Sequence, residues 1–313
     1  MKKTNLIIII FFFIFSLYTL TNIKETNEST MNILITFSKT ILPALLPFLI
    51  INQLLIKLGV IDLLAYFIQF ISLPLFRISG KGASIIIIGL LNGFPSSAIF
   101  TSLMLMDKQL EKEEAQRLIN CIFFPSVSFL FAILNTNLND NYLFTRLVIS
   151  LYLSGFIFLY ISSFKINKEQ NYITLKQTIS LIKNKLNDFN FIKNIKETIT
   201  YSFNTLLNIL GIIVIFTIPS NIIDKLITHD YSYILKGLIE FSIPSIQLSI
   251  SQISKKKIVL FLSTILSFSS ISSIMQASLF INESNLNVKQ FIIYRILITL
   301  LSTSLLTIFV FFL

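Results

Sequence analysis

From Gly89 to Ala98 the sequence reads Gly-Leu-Leu-Asn-Gly-Phe-Pro-Ser-Ser-Ala, in the middle of an apolar run over 82–106. Glycine frees the backbone, and Pro95 lacks an N–H and clashes with the preceding turn, so a helix must break here. The half-helix that begins near Pro95 presents N–H groups with no partner in their own helix, and a partial positive charge. Ser96 and Ser97 add hydroxyls, and Asn92 and Gly93 stand on the other side of the break. This is the chemistry of anion recognition, because a carboxylate fits a helix N-terminus. A second polar interruption, Ser267-Phe268-Ser269-Ser270-Ile271-Ser272-Ser273-Ile274-Met275-Gln276, lies in the run 258–281. It holds no Gly or Pro, so an unbroken helix is expected there. Its candidates for a cavity wall are Ser269, Ser270, Ser272, Ser273 and the Gln276 amide. The plainer reading is that the serines bond back to their own helix and help helices pack.

Ionisable side chains inside apolar runs are costly and often functional. Asp62, Arg146, Glu240 and Arg295 are so placed. Three of them, Asp62, Arg146 and Arg295, fall near run ends, where a side chain can reach the interface. Glu240 lies deeper and is the candidate for proton coupling. Other chemistries find no support. Cys121 is the only cysteine and His229 the only histidine. One chain can therefore form no disulfide and no Cys/His metal site. Cys121 reads as a small buried filler and His229 as a solvated loop residue. Acidic residues within the runs are too few for a hard-metal pathway. No Ser/His/Asp set can be assembled, and no G-x-x-x-x-G-K-[ST] phosphate loop is present. The expectation is a protein that is not an enzyme, with no metal and no cofactor.

What must position these residues is a membrane bundle. Of 313 residues, 54% are hydrophobic and 13% charged, with a mean hydropathy of +0.80. A soluble domain carries roughly 25% charged residues. Apolar runs recur at about 34–56, 60–76, 82–106, 118–134, 143–164, 198–219, 232–250, 258–281 and 289–313, after an apolar N-terminal stretch, Met1–Leu20. That stretch follows Lys2 and Lys3 and has no clear small-residue cleavage site, so it reads as a retained helix. The fold class is all-α and polytopic, with about 8–10 transmembrane helices. The runs at 60–76, 118–134 and 232–250 are short enough to be re-entrant instead.

Net charge is +10. The lysines gather between apolar runs, the sign of cytoplasmic loops and anionic lipid. The phenylalanines lie inside the runs, not interleaved with arginine, so the partner is the lipid bilayer and not nucleic acid. Residues 165–197 hold Lys165, Lys168, Lys176, Lys183, Lys185, Lys193 and Lys196 against Glu169, Asp188 and Glu197. Within them Leu175, Ile179, Ile182, Leu186 and Phe189 fall three or four apart. That spacing predicts a helix on the inner membrane surface. The Arg77/Lys81 pair is an exception to the charge rule, falling outside.

The two halves of the chain match weakly but in order. Phe37 onward matches Phe203 onward, 70–74 matches 241–244, and Ser96-Ser97 matches Ser272-Ser273, with offsets growing from 166 to 176. If every run spans, an odd number of crossings separates the two starts and the halves are inverted. Inverted repeats place a solute site at their interface near mid-membrane. The resulting division is 1–33 as N-terminal helix and outer loop, 34–142 as first repeat, 143–197 as connecting helix and basic segment, and 198–313 as second repeat.

Gly89–Ala98, with the charged Lys108–Arg117 and the run around Pro125, resembles the nucleoside-recognition gate domain. More closely it resembles the sporulation integral membrane protein YlbJ family, with its Gly-x-x-Ser-Gly-Tyr-Pro-x-Gly-Ala type motif. Residues 41–48, Ile-Leu-Pro-Ala-Leu-Leu-Pro-Phe, resemble that family's first core helix. Here Asn92 replaces the family serine and Ser97 the family glycine. Cys121-Ile122-Phe123-Phe124 stands where the family has a polar Asn-Thr-Ser-Gly run. The resemblance implies gate-like repeats with broken helices, in a protein of endospore formation. It implies a place in the mother-cell-derived outer forespore membrane and a role in cortex formation and delivery of dipicolinic acid. A homo-oligomer or other sporulation membrane proteins are the implied partners. Three functions stay open: a carrier for a small anionic solute, a nucleoside or other polar-metabolite permease, and a non-transporting scaffold for cortex assembly.

Overall fold

The computed structural model describes Phe13, residues 15–164, Ile166, residues 172–227 and residues 230–312. Lys2, Lys3, Lys165, Lys168, Glu169 and His229, and much of the expected first helix, lie outside the described residues.

The described residues form helices and no strand. In order these are α1 (Ile23–Thr36), α2 (Leu42–Lys57), α3 (Val60–Phe76), α4 (Gly80–Asn92), α5 (Ser96–Met106) and α6 (Lys112–Cys121). Short helical pieces follow over 127–138, with a π-helical stretch at Leu130–Asn135. Then come α7 (Asn141–Ser163), α8 (Leu175–Asn187), α9 (Phe191–Leu226), α10 (Ser232–Ile239), α11 (Ser242–Ser249), α12 (Lys255–Phe268), α13 (Ser270–Glu283) and α14 (Val288–Phe311).

Four stretches are long and apolar enough to cross a membrane: Asn141–Ser163, Phe191–Phe216, Lys255–Glu283 and Val288–Phe311. The pair Leu49–Lys57 and Val60–Phe76, bent by 82°, is either a fifth, broken span or a re-entrant loop. The chain is an all-α polytopic membrane protein. The apolar runs that fall short of this length, 80–106, 112–138 and 232–249, are each a pair of shorter helical pieces meeting at a break.

Polar side chains at the helix starts fix where these elements begin. Asp140 accepts the Leu143 N–H at 3.1 Å to start α7, and Asn287 accepts the Gln290 N–H at 3.0 Å to start α14. Both are short acceptors that satisfy an N–H the helix leaves over. The expected amphipathic helix forms as α8, opened by a reciprocal Thr174–Gln177 capping box. Phe189 falls just beyond its end. The helix packs on α3 with Ile182 against Gly59, and Lys185 pairs with Asp62. It leaves Leu175, Ile179 and Leu186 exposed.

The centre of the bundle is α7, α12 and α14, each packed on the other two. Arg295 of α14 is fully buried, against the expectation that it reaches an interface. Its guanidinium donates to the carbonyls of Phe123, at 2.7 Å, and Asn120. Phe123 and Phe291 flank it, each ring centre 5.5 Å from the guanidinium carbon. The reason is the end of α6. Its last carbonyls have no helical partner, and no water reaches this depth, so a long cationic donor must satisfy them. Arg146 lies over the Tyr142 ring at 3.4 Å and donates to the Phe309 carbonyl at 2.8 Å.

Arg295→Met should therefore cost about 3 kcal/mol or more, because it orphans two buried carbonyls. Thermal unfolding in detergent should show a larger drop for Arg295→Met than for the partly exposed Arg146→Met. Arg295→Lys should fall between. Equal drops for the two methionine variants would remove the capping role.

Candidate functional site

Four breaks meet at one place. The first follows α4, where Gly93 turns the chain with φ of +70° and the Phe94–Pro95 peptide bond is cis. The Phe94 N–H donates across to the Phe124 carbonyl at 2.8 Å. A Cβ on Gly93 would collide with the Ser126 backbone nitrogen. The second break is therefore pressed onto the first. It spans 122–126, between α6 and the helical piece starting at Val127, and Ser126 accepts the Phe129 N–H at 3.1 Å.

The third break separates α10 from α11. One Glu240 oxygen accepts the Ser242 N–H at 2.9 Å and its hydroxyl at 2.8 Å, and the other accepts the Ile243 N–H at 3.2 Å. The carboxylate thus sits on the N-terminus of α11, where a negative charge is stabilised. The fourth break divides α12 from α13, where an unbroken helix was expected. Ser269 and Ser270 take φ of +76° and +64° without being glycine. Such conformations cost about 1 kcal/mol or more each and persist where neighbours over-determine them. Serine hydroxyls make the local compensation. Ser270 Oγ lies 2.9 Å from Ser272 Oγ, donates to Ser273 Oγ at 3.3 Å, and accepts the Ser273 N–H at 3.4 Å.

Between these breaks lies a cavity of about 60 Å³. Asn92, Pro95 and Ser96 line it from the first break, and Ser272, Ser273 and Gln276 from the fourth. Glu240 lines it from the third. The remaining candidates stand outside the lining. Gly93 makes the turn, Ser97 is buried behind it beside Gly89, and Ser269 and Ser270 shape the fourth break. The sequence reading missed Ser126, Ser128, Phe241, Ser242 and Thr205, all of which line the cavity. Pro125, just before Ser126, was the available signal for the first two. Cys121 is fully buried, and Phe123 and Phe124 pack beneath the site. The Phe123 ring stacks on Phe94 at 5.2 Å, and Phe124 meets Tyr152 edge-on at 5.1 Å.

The lining has an internal order. Phe94 and Phe241, Pro95 and Ser242, Pro125 and Ser272, Ser126 and Ser273, and Phe129 and Gln276 are each 147 positions apart. The same shift carries the start of α7 onto the start of α14, and the end of α6 onto the end of α12. It carries the first break onto the third and the second onto the fourth, whereas the offset of 176 carries the first onto the fourth. The Phe94 and Phe241 rings meet edge-on at 4.7 Å. The cavity therefore sits where equivalent parts of the two halves come together, and four helix starts open onto it.

The chain is 23% identical to the sporulation integral membrane protein YlbJ of Bacillus subtilis (strain 168), over an alignment covering 95% of this chain and 81% of that protein. The similarity is distant, and it supports a membrane role in sporulation. No family model matches the chain, and no solved structure matches it.

Gly93→Ala should be strongly destabilising, since it combines a left-handed backbone with a backbone collision. Gly211→Ala in α9 meets nothing within 4 Å and should be neutral or stabilising by up to about 1 kcal/mol. Detergent melting curves of the two variants check this. Equal stability of both would mean that the first two breaks are not locked together.

Proposed function

We propose that this distant relative of a sporulation membrane protein is a carrier, without catalysis, for a small anionic solute, and that the solute is dipicolinic acid moved during endospore formation. The observation that supports it is the convergence of four helix breaks on one cavity. Broken backbone at membrane depth is tolerated where it is buried in protein or lines a cavity, and broken helices are where secondary transporters bind solute. Helix starts aim N–H groups and positive potential inward, with the Ser96, Ser126 and Ser273 hydroxyls and the Asn92 and Gln276 amides beside them. Phe94, Phe129 and Phe241 add apolar ring surface. A planar aromatic dicarboxylate has the complementary parts, oxygens for the donors and a ring for the phenylalanines.

Glu240 gives the carrier its coupling. An ionised carboxylate in this cavity repels an entering anion, so solute binding and protonation of Glu240 favour each other. At about 60 Å³ the cavity holds a few waters at most, so the walls must part to admit a dicarboxylate. The second reading is a permease for a nucleoside or another neutral polar metabolite. The ring surfaces favour it, together with an acid that would not repel a neutral solute. The outer forespore membrane is the site of action that fits this reading, and the likeness to a sporulation membrane protein supports it.

Reconstitution in liposomes tests the proposal. Labelled dipicolinate should enter saturably, and Pro95→Ala combined with Ser96→Ala should abolish entry in protein that still folds. Glu240→Gln should keep uptake but flatten its dependence on pH. Absence of saturable dipicolinate uptake by folded, inserted wild-type protein would reject the anion carrier, and uptake of nucleosides instead would establish the second reading.

A further inference from the structure

We infer that the seam between α2 and α9 is the aqueous route that joins the cavity to the lysine-bearing face of the molecule, a statement that builds on the carrier reading above. Thr198, Ser202, Thr205 and Ile209 of α9 follow one another at spacings of four, three and four, which places them on one helix face. Leu49, Gln53 and Lys57 do the same on α2, the helix packed against it. One end of the seam is the cavity, because Leu49, Thr205 and Ile209 are part of its wall. The other end is the surface, where Lys57 donates to Asn194 at 3.0 Å and pairs with Glu197 at 2.5 Å. Lys176, Lys183, Lys193 and Lys196 stand in the adjoining segment.

What lies between the two ends is unusual. Thr198 and Ser202 are fully buried, and Gln53 is 8% exposed. The two hydroxyls and the Gln53 amide nitrogen have no hydrogen-bond partner among the described residues. Each such group costs about 1–3 kcal/mol in a dry interior. The Thr26, Ser97 and Ser245 hydroxyls also lack a partner among the described residues, but many helical hydroxyls are satisfied. Thr145, Thr299, Thr303 and Thr307 each donate to the carbonyl four residues back, at 2.7–2.8 Å. On α9 the hydroxyls of Thr198 and Ser202 forgo that bond. A row of polar groups held open, from a surface ion pair to a polar cavity, is what water or a hydrated solute needs to pass. The Lys57–Glu197 pair is partly exposed. Pairs of that kind contribute little stability, so this one suits a closure that must open.

Cysteine accessibility tests the seam without any solute. Thr198→Cys, Ser202→Cys and Gln53→Cys are made one at a time in a Cys121→Ser background, in liposomes of known orientation, and treated with a charged, membrane-impermeant thiol reagent. Leu206→Cys, one turn along α9 in the packed core, is the control. Labelling at the seam positions should be about tenfold or more faster than at the control, because a thiol buried in dry packing is inert. It should come from the side that carries Lys57, and Lys57→Met should speed it further. Two seam cysteines as inert as the control, in variants that keep the background's thermal midpoint, would overturn the route. The readouts separate the two ideas. Labelling without dipicolinate uptake rejects the carrier and keeps the seam, whereas uptake past an inert seam rejects the seam alone.

Discussion

Every backbone N–H and C=O inside this bundle must find a partner within the protein, because surrounding hydrocarbon offers none. The architecture follows from how the four breaks meet that demand. Each uses a different device. The first donates its Phe94 N–H to the second, at the Phe124 carbonyl. The second takes Arg295 for its Asn120 and Phe123 carbonyls. The third folds a carboxylate onto its own helix start, and the fourth uses a serine hydroxyl. The breaks can open onto a cavity because so many of their backbone groups already have partners within the protein.

The same demand explains the aromatic layer beneath the site. Phe94, Phe123 and Phe291 form a continuous ring contact, with centroids 5.2 and 5.0 Å apart. They exclude water from the Arg295 hydrogen bonds. Two of the three guanidinium nitrogens are hydrogen-bonded, and removing one partner of a buried charge is far worse than never having had it. The segment 121–124, where the resembled family is polar, here supplies hydrophobic support for the break rather than its inner lining.

Much of this was legible in the residues, and the failures have physical causes. The break at Gly93–Pro95 could be read because both residue types act through the local chain. Glu240 stood out because an acid deep in an apolar run has few bland explanations. The break at Ser269 could not be read, since its left-handed backbone is sustained by a hydroxyl cluster and tertiary packing, not by a glycine. Arg295 was misjudged because position along a helix does not say which neighbour's carbonyls wait opposite. The repeat expected from the sequence was aligned by residue likeness, with offsets of 166 to 176, whereas the cavity lining pairs positions 147 apart. Cavity walls made of different residue types at equivalent places, such as Phe129 and Gln276, leave no such likeness to follow.

The 147-position correspondence places Gly93 opposite Glu240. One side of the cavity sets an acid at its helix start, where the other side has a glycine. The cavity thus has two unlike poles, one of them met by a carboxylate. Any elongated guest would meet different company at its two ends, and so would lie in one orientation. This single unmatched pair gives the cavity a front and a back.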